Sequence, residues 1–443
     1  MASRAKAISV VPQRNNAEAN RLADEDRAAH DWYRFVLSFP PHLVRDYLTR
    51  FGMGPRHCVL DPFCGTGTTL VECKKQGVPS VGIEANPMAH FASWVKVDWS
   101  PDPDGLLRRA QAVAERVSRV LGEQGIGDNG VLPLWDTRPR KAVRLQGLPD
   151  ERAALLLKDS ISPRPLHKVL VLLDCLREQE GQACYEHQVL ALAKALVFSV
   201  SNLHFGPEVG VGTVKADAPV AAPWLAAVRA MAEDLRHLRG NRTPSAAYRA
   251  DAREVGRVAA ARSVDAVITS PPYPNEKDYT RTTRLESVLL GFLRSKADLR
   301  ALKEGLVRSN TRNVFRADDD DRLAAVHPEV ERIAAAIEAR RLELGKTSGF
   351  ERMYARVARL YFAGMARHLA NLRPVLRPGA RLAYVVGDQA SYLRVMIRTG
   401  KILADIAESL GYTLDGIDLF RTRLATATRE QLREEVVLLR WPG

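Results

Sequence analysis

Cys58-Val59-Leu60-Asp61-Pro62-Phe63-Cys64-Gly65-Thr66-Gly67-Thr68-Thr69-Leu70 reads as a short apolar strand that runs into a glycine-rich turn and then a helical pattern. Gly65 and Gly67 permit a tight turn and close approach of a ligand to the backbone. The helix expected over residues 68–76 turns its N-terminal amides toward an anionic group such as a carboxylate or phosphate. A P-loop would need Gly-Lys-Ser/Thr after four spacer residues, and no lysine stands there; the third glycine of the dinucleotide fingerprint is also missing. Next comes Ser80-Val81-Gly82-Ile83-Glu84, an apolar strand ending in an acid about 20 residues past the turn, where such folds bind a ribose hydroxyl. The ligand so described is a nucleoside with a small anionic tail.

Far downstream, Thr269-Ser270-Pro271-Pro272-Tyr273 follows the apolar run Ala266-Val267-Ile268 and so lies where a buried strand ends. The two prolines fix their own φ angles and push the residue before each toward extended geometry, which aims the Ser270 carbonyl and hydroxyl. Tyr273 adds a ring face for stacking. By itself such a corner is an ordinary loop. Beyond the carboxyl end of a strand in an open α/β sheet, it is also where ligands bind, and its chemistry suits a flat ring bearing an amine.

Together the two motifs resemble those of the S-adenosylmethionine-dependent amino-methyltransferases of DNA. The resemblance implies an α/β fold, the Rossmann-like, doubly wound sheet of class I methyltransferases, here with a mostly helical inserted recognition lobe. It implies S-adenosylmethionine as cofactor, with Asp61, Phe63, Gly65, Thr66, Gly67, Thr68 and Thr69 in the cofactor motif and Asp61 near the methionine amino group. Glu84 would take the ribose hydroxyls and Asp251 the adenine amine, while Phe39 and Pro40, ahead of the turn, would pack on the methionine end. The catalytic residues would be Ser270, Pro271, Pro272 and Tyr273, with the Ser270 side chain and the Pro271 carbonyl accepting from the target amine. Family members acting on adenine tend to carry Asp or Asn before Pro-Pro-Tyr, and those forming N4-methylcytosine tend to carry Ser, so Ser270 favours cytosine. The partner implied is double-stranded DNA whose base is flipped out of the helix, with a cognate restriction endonuclease acting on the same site. N6-adenine methylation, an RNA amino-methyltransferase and a non-catalytic DNA-binding protein stay open as alternatives.

The chain departs from the family in arrangement. Its cofactor motif precedes the catalytic one, and the largest insertion lies between Glu84 and Asp251. The reading along the chain is a polar tail over residues 1–28, a first catalytic part over 29–105, a helical target-recognition insertion over 106–247, the catalytic motif within 248–274, a second insertion over 275–349 and a closing catalytic part over 350–443. The strand after the first insertion is expected at 265–269, and closing strands at 413–420 and 434–441. In the second insertion Lys277, Arg281, Arg284, Arg308, Arg312 and Arg316 stand among Ser309, Asn310, Thr311 and Asn313, a mixture suited to phosphate and base-edge contacts; the acidic run 318–321 reads as a solvated loop.

Composition narrows the class. With 65 Lys and Arg against 52 Asp and Glu, the net charge of +13 favours a polyanionic partner. Five scattered cysteines point to a reducing compartment, and a charged N-terminus without an apolar core points away from secretion and toward the cytoplasm. None of the five follows a proline, which excludes the Pro-Cys nucleophile of carbon-5 cytosine methylation, and a His-x-Glu with Pro-Cys-x-x-Cys for zinc deamination is missing. Cys175, Cys184 and His187 have poor metal-ligand spacing and read as core.

Overall fold

Side chains alternate between the two faces of a strand, and here both faces are apolar. Leu60, Val267, Leu382 and Tyr384 share one core with the helices Pro328–Glu343, Tyr354–Leu372 and Thr399–Ser409. Their neighbours Val59, Ala266, Ile268, Ala383 and Val385 pack on the other side, against Leu43, Val44, Tyr47 and Leu48 of the helix Pro41–Phe51. A sheet buried on both faces is the signature of parallel α/β architecture. The computed structural model describes residues 22–34, 38–128, 144–205, 208–318, 320, 327–424 and 431–443.

Nine strands are found in the described residues: β1 (Val59–Asp61), β2 (Ser80–Glu84), β3 (Leu203–Phe205), β4 (Val209–Val211), β5 (Ser245–Arg249), β6 (Val264–Thr269), β7 (Leu376–Gly387), β8 (Thr413–Leu424) and β9 (Gln431–Arg440). Seven of them form one sheet in the order β5-β2-β1-β6-β7-β9-β8. The first five of these run parallel, and β9 is antiparallel to both of its neighbours. This is the Rossmann-like, doubly wound sheet expected of a class I methyltransferase. β3 and β4 make a separate antiparallel hairpin. Among the described residues no helix is long and apolar enough to cross a membrane.

Several boundaries move. The first insertion does not run to residue 247, because β5 is the strand next to β2 in the sheet, paired from Ser80↔Ser245 to Glu84↔Arg249. The helical part shares one core with the first catalytic part: Leu70, Val71 and Met88 belong with Val113, Leu172, Leu190 and Trp224. Leu203 lies in β3, beyond the helix Tyr185–Ala195 and the π-helical turn at Leu196–Val200, so the first insertion is not helical throughout. Residues 377–379, Arg-Pro-Gly, lie inside β7, where Gly379 takes φ +86° and the pairing with β6 shifts register. The helix Pro328–Glu343, inside the second insertion, buries Val330, Ile333 and Ile337 against the sheet's own helices. Residues 1–21 of the polar tail lie outside the described residues; beyond them, Asp26 is buried and paired with Arg45, which also holds Glu72, so this end of the tail is docked.

His368 fixes the layer behind the first turn. The ring is fully buried, with Nδ1 2.8 Å from the Ala252 carbonyl and Nε2 2.7 Å from the Tyr384 hydroxyl. Nδ1 therefore donates and Nε2 accepts, and burial holds the imidazole neutral with a pKa of about 4. Tyr384→Phe leaves Nε2 without its donor and should lower the unfolding free energy by about 1–3 kcal/mol in chemical denaturation. A loss below about 0.5 kcal/mol would show that the imidazole is satisfied some other way.

Candidate active site

The glycine-rich turn leaves β1 and the Pro-Pro corner leaves β6, and these strands are neighbours through Val59↔Ala266 and Leu60↔Val267. Parallel pairing brings both carboxyl ends to one edge of the sheet, and a cleft of about 300 Å³ opens there. Phe63, Gly65, Thr66, Thr68, Glu84, Asp251, Ser270, Pro271, Pro272 and Tyr273 all line it, with Phe39 at its edge. Two motifs some two hundred positions apart in the chain thus share one cavity.

Asp61 lies beneath this cleft, fully buried. Its Oδ1 accepts from the Thr269 hydroxyl at 2.6 Å and from the Phe63 amide at 3.1 Å, whereas Oδ2 has no partner. Burial raises its pKa to about 6, against the pull of those hydrogen bonds. Glu84, at the end of β2, takes the Gly65 amide on Oε2 at 2.9 Å and the Asn86 amide on Oε1 at 2.7 Å; burial raises its pKa to about 7. Asp251 receives Arg253 through Nε and the terminal nitrogen, and Arg253 in turn reaches Asp320 at 2.9 Å and the Glu304 carbonyl at 3.1 Å. Thr69 donates to the Ile268 carbonyl, a second tie between the two motifs.

At the acceptor end the Ser270 hydroxyl donates to the Val385 carbonyl at 3.1 Å, and the Tyr273 amide donates to the Tyr279 hydroxyl at 3.1 Å. The Tyr273 ring lies on Gly387, where an added Cβ would come within 3.1 Å of it. Burial, and then the charge of Glu434, push its phenol well above the ordinary range.

The six cations expected to meet DNA part company. Lys277 lines the cleft. Arg308 is buried, with its guanidinium engaged by Asp318 at 2.7 Å and by the Lys303 and Leu306 carbonyls. Arg284 donates to the carbonyl and hydroxyl of Thr280. Arg281 is partly buried, while Arg312 and Arg316 are exposed. Asp318 and Asp320 are ion-paired, Asp320 in a buried setting, so the acidic run is not a solvated loop at these two positions; Asp319 and Asp321 lie outside the described residues. Ser309, Asn310 and Asn313 are buried too: Asn310 donates to the Lys277 carbonyl, and its neighbour Thr311 bonds the Glu276 carboxylate. Cys175 and Cys184 lie in the helical core, and His187 bonds the Asp98 carbonyl.

Four cleft residues from the C-terminal hairpin, Phe420, Arg421, Arg423 and Glu434, went unnoticed in the sequence, as did Leu306 and Val307 from the second insertion. β8 extends past residue 420 to Leu424, and β9 begins at Gln431, earlier than expected. That longer hairpin is what carries its side chains over the cleft.

Comparison with known proteins agrees with the geometry. Residues 10–92 match the family model described as DNA methylase, of the N6/N4 type. Over 460 aligned residues the chain is 25% identical to the type II methyltransferase M.BsoBI of Geobacillus stearothermophilus, covering 94% of this chain and 85% of that one. These matches make the chain similar to the DNA amino-methyltransferases. A second relative, M.AvaI of Nostoc sp., is 30% identical over 192 residues, which is 40% of this chain and 38% of M.AvaI. TrmN from Thermus thermophilus overlaps the chain at 12% identity and a TM-score of 0.30, over 94% of this chain and 52% of that one. Amino-methyltransferases of this fold use S-adenosylmethionine.

The turn itself gives a test. Gly67 has φ +83°, and a Cβ there would stand 2.9 Å from that of Ser93, whereas Gly65 has φ +52° and open space around it. Gly67→Ala should therefore cost about 2–4 kcal/mol and Gly65→Ala about 1–2 kcal/mol, read from the unfolding midpoint in denaturant. Equal losses would mean that contact with Ser93 does not shape the loop.

Proposed function

We propose that this protein transfers a methyl group from S-adenosylmethionine to N4 of a cytosine flipped out of duplex DNA, as the modifying half of a type II restriction-modification pair. Its relatives M.BsoBI and M.AvaI are both type II methyltransferases. The observation that carries the reading is the junction of the Asp61 turn and the Ser270 corner in one cleft.

The residues present fit the cofactor. The unpartnered Oδ2 of Asp61 would seat the methionine ammonium, because a buried carboxylate oxygen without a donor is costly until a cation meets it. Glu84 keeps lone pairs for the ribose hydroxyls after its two backbone bonds, and Asp251, pinned by Arg253, would take the adenine amine. Thr66 and the first turn of the helix Thr68–Lys75 would offer amides to the methionine carboxylate, the Gly65 amide being held by Glu84 and that of Gly67 by the Cys64 carbonyl. Bound there, S-adenosylmethionine supplies an electrophilic methyl group on a cationic sulfur. The exocyclic amine is a weak nucleophile because its lone pair is delocalised into the ring. Acceptors beside its hydrogens, the Ser270 hydroxyl and the Pro271 carbonyl, would draw the nitrogen toward tetrahedral geometry as the bond forms. Orientation and fixed dipoles then do most of the catalysis, and the methylated amine is acidic enough to lose its proton without a strong base. Tyr273, held on Gly387, would stack on the flipped base.

Serine rather than Asp or Asn at position 270 supports cytosine over adenine. Mass spectrometry of nucleosides from DNA of cells expressing the protein should show N4-methylcytosine. N6-methyladenine alone would overturn the choice of base, and no methylated base at all would overturn the reading.

Cofactor affinity should depend on pH in a direction set by the two acids. In the free protein Asp61 has a pKa of about 6 and Glu84 of about 7, both above the ordinary carboxylate range. An ammonium and a ribose need them ionised, so binding releases protons, and affinity falls up to about tenfold per pH unit for each group as pH drops below its pKa. Calorimetry from about pH 5 to pH 8 should show this, with a shallower slope in Asp61→Asn. An affinity independent of pH would rule out the assigned contacts.

A further inference from the structure

Beyond the residues assigned to cofactor and base, the cleft carries three cations. We propose that Lys277, Arg421 and Arg423 form a clamp on the DNA phosphates that flank the methylated base, an inference that rests on the methyltransferase reading above.

The three come from different parts of the chain. Lys277 follows the catalytic corner by four positions, and Arg421 and Arg423, two residues apart on β8, share one face of that strand. All three line the same cleft as Tyr273. Glu434 on β9 holds the two arginines: Arg421 Nε lies 2.5 Å from its Oε2 and Arg423 Nε 3.5 Å from its Oε1. A contact through Nε uses one of a guanidinium's five donors. Glu434 also stands beside the base site, since its Cγ is 3.3 Å and the Tyr273 ring 3.1 Å from where a Cβ on Gly387 would be.

Charge separates this cluster from an ordinary hairpin ion pair. One carboxylate would be matched by one arginine, yet Glu434 faces two, with Lys277 close enough that the Arg423 charge lowers its pKa further below normal than burial alone. Glu208, the other acid whose field reaches Lys277, stands off at coulombic range. The three cations therefore outnumber Glu434 and Glu208, the acids whose fields reach Lys277, and this part of the cleft carries like charges at a cost in repulsion. Polyanion binding relieves that cost. A base turned out of the helix carries its two neighbouring phosphates to the rim of its pocket, where these side chains are. Arg308 and Arg284 are engaged inside the protein and do not offer the same. Phosphate contacts carry no sequence information, so the clamp would serve whichever base is methylated.

The test is the salt dependence of duplex binding by the full chain, measured by fluorescence anisotropy on DNA carrying the modified site. In Arg421→Gln/Arg423→Gln the slope of log affinity against log salt should fall by about one unit per arginine, with cofactor affinity unchanged by calorimetry. Neutral methylphosphonates at the two phosphates flanking the target should weaken binding by the wild type and add nothing further in the double variant. An unchanged slope, or a full methylphosphonate penalty in the double variant, overturns the clamp. Should the double variant lose cofactor binding, Arg423→Gln alone decides by the same slope, because that side chain is 41% exposed. Duplex that is bound with the expected slope loss but never methylated would sink the enzymatic reading and leave the clamp standing.

Discussion

The hydrogen bond from the Thr269 hydroxyl to Asp61 Oδ1, 2.6 Å long and fully buried, ties the two halves of this site together. Thr269 is the last residue of β6 and Asp61 the last of β1. Each is the fixed point from which a functional loop departs, one toward the glycines and the other toward Ser270. Parallel pairing sets the two strands side by side, and the hydroxyl–carboxylate bond locks their ends in register where the ladder itself has stopped. It also orients the carboxylate, so that Oδ2 rather than Oδ1 is left for a ligand. Without it the glycine-rich turn and the Pro-Pro corner would be two loops on a common sheet; with it they are one frame, as the proposed methyl transfer along a straight line requires.

What could be read from the sequence was whatever is local. Glycine turns, a Pro-Pro corner and acids at strand ends act through their own backbone; Gly65, Glu84, Asp251 and the corner line the cleft, whereas Pro40, Asp61, Gly67 and Thr69 are not among its lining residues. β5 escaped because Ser245-Ala246-Ala247-Tyr248-Arg249 is an edge strand, with Tyr248 and Arg249 exposed, and lacks the apolar run that announced β1 and β6. Pro378-Gly379 has the local pattern of a turn outside any strand, yet it lies within β7, where Gly379 takes φ +86° and the pairing with β6 shifts register. Arg421, Arg423 and Glu434 had no local signal at all. Their importance comes from a strand pairing, Arg421↔Glu434, that spacing along the chain does not reveal.

The arginines of the second insertion show the same limit from the other side. Basic residues among small polar ones look alike whether they face phosphates or fold back on acids. Asp318 and Asp320 settle the matter in three dimensions, drawing in Arg308 and Arg253 and closing the segment that supplies Leu306 and Val307 to the cleft. A buried arginine without a carboxylate would be prohibitive, so each burial needs its acid nearby. Asp318 is what folds Arg308 of the basic region inward.

The same packing constrains how DNA can approach. Helices cover both faces of the sheet, and the helical lobe merges its core with that of the cofactor half, so the described lobe is no loosely tethered module. The β1–β6 carboxyl edge is where the cleft opens, and the C-terminal hairpin's cations line it together with Lys277. Glu208, next to β4, acts on Lys277 electrostatically, which brings the lobe's own hairpin to the neighbourhood of that opening. A duplex seated there would meet the lobe and the C-terminal hairpin together. The lobe cannot shift without disturbing Leu70 and Val71 on the helix that begins at the glycine-rich turn, so its position bears directly on the half of the cleft that this turn lines.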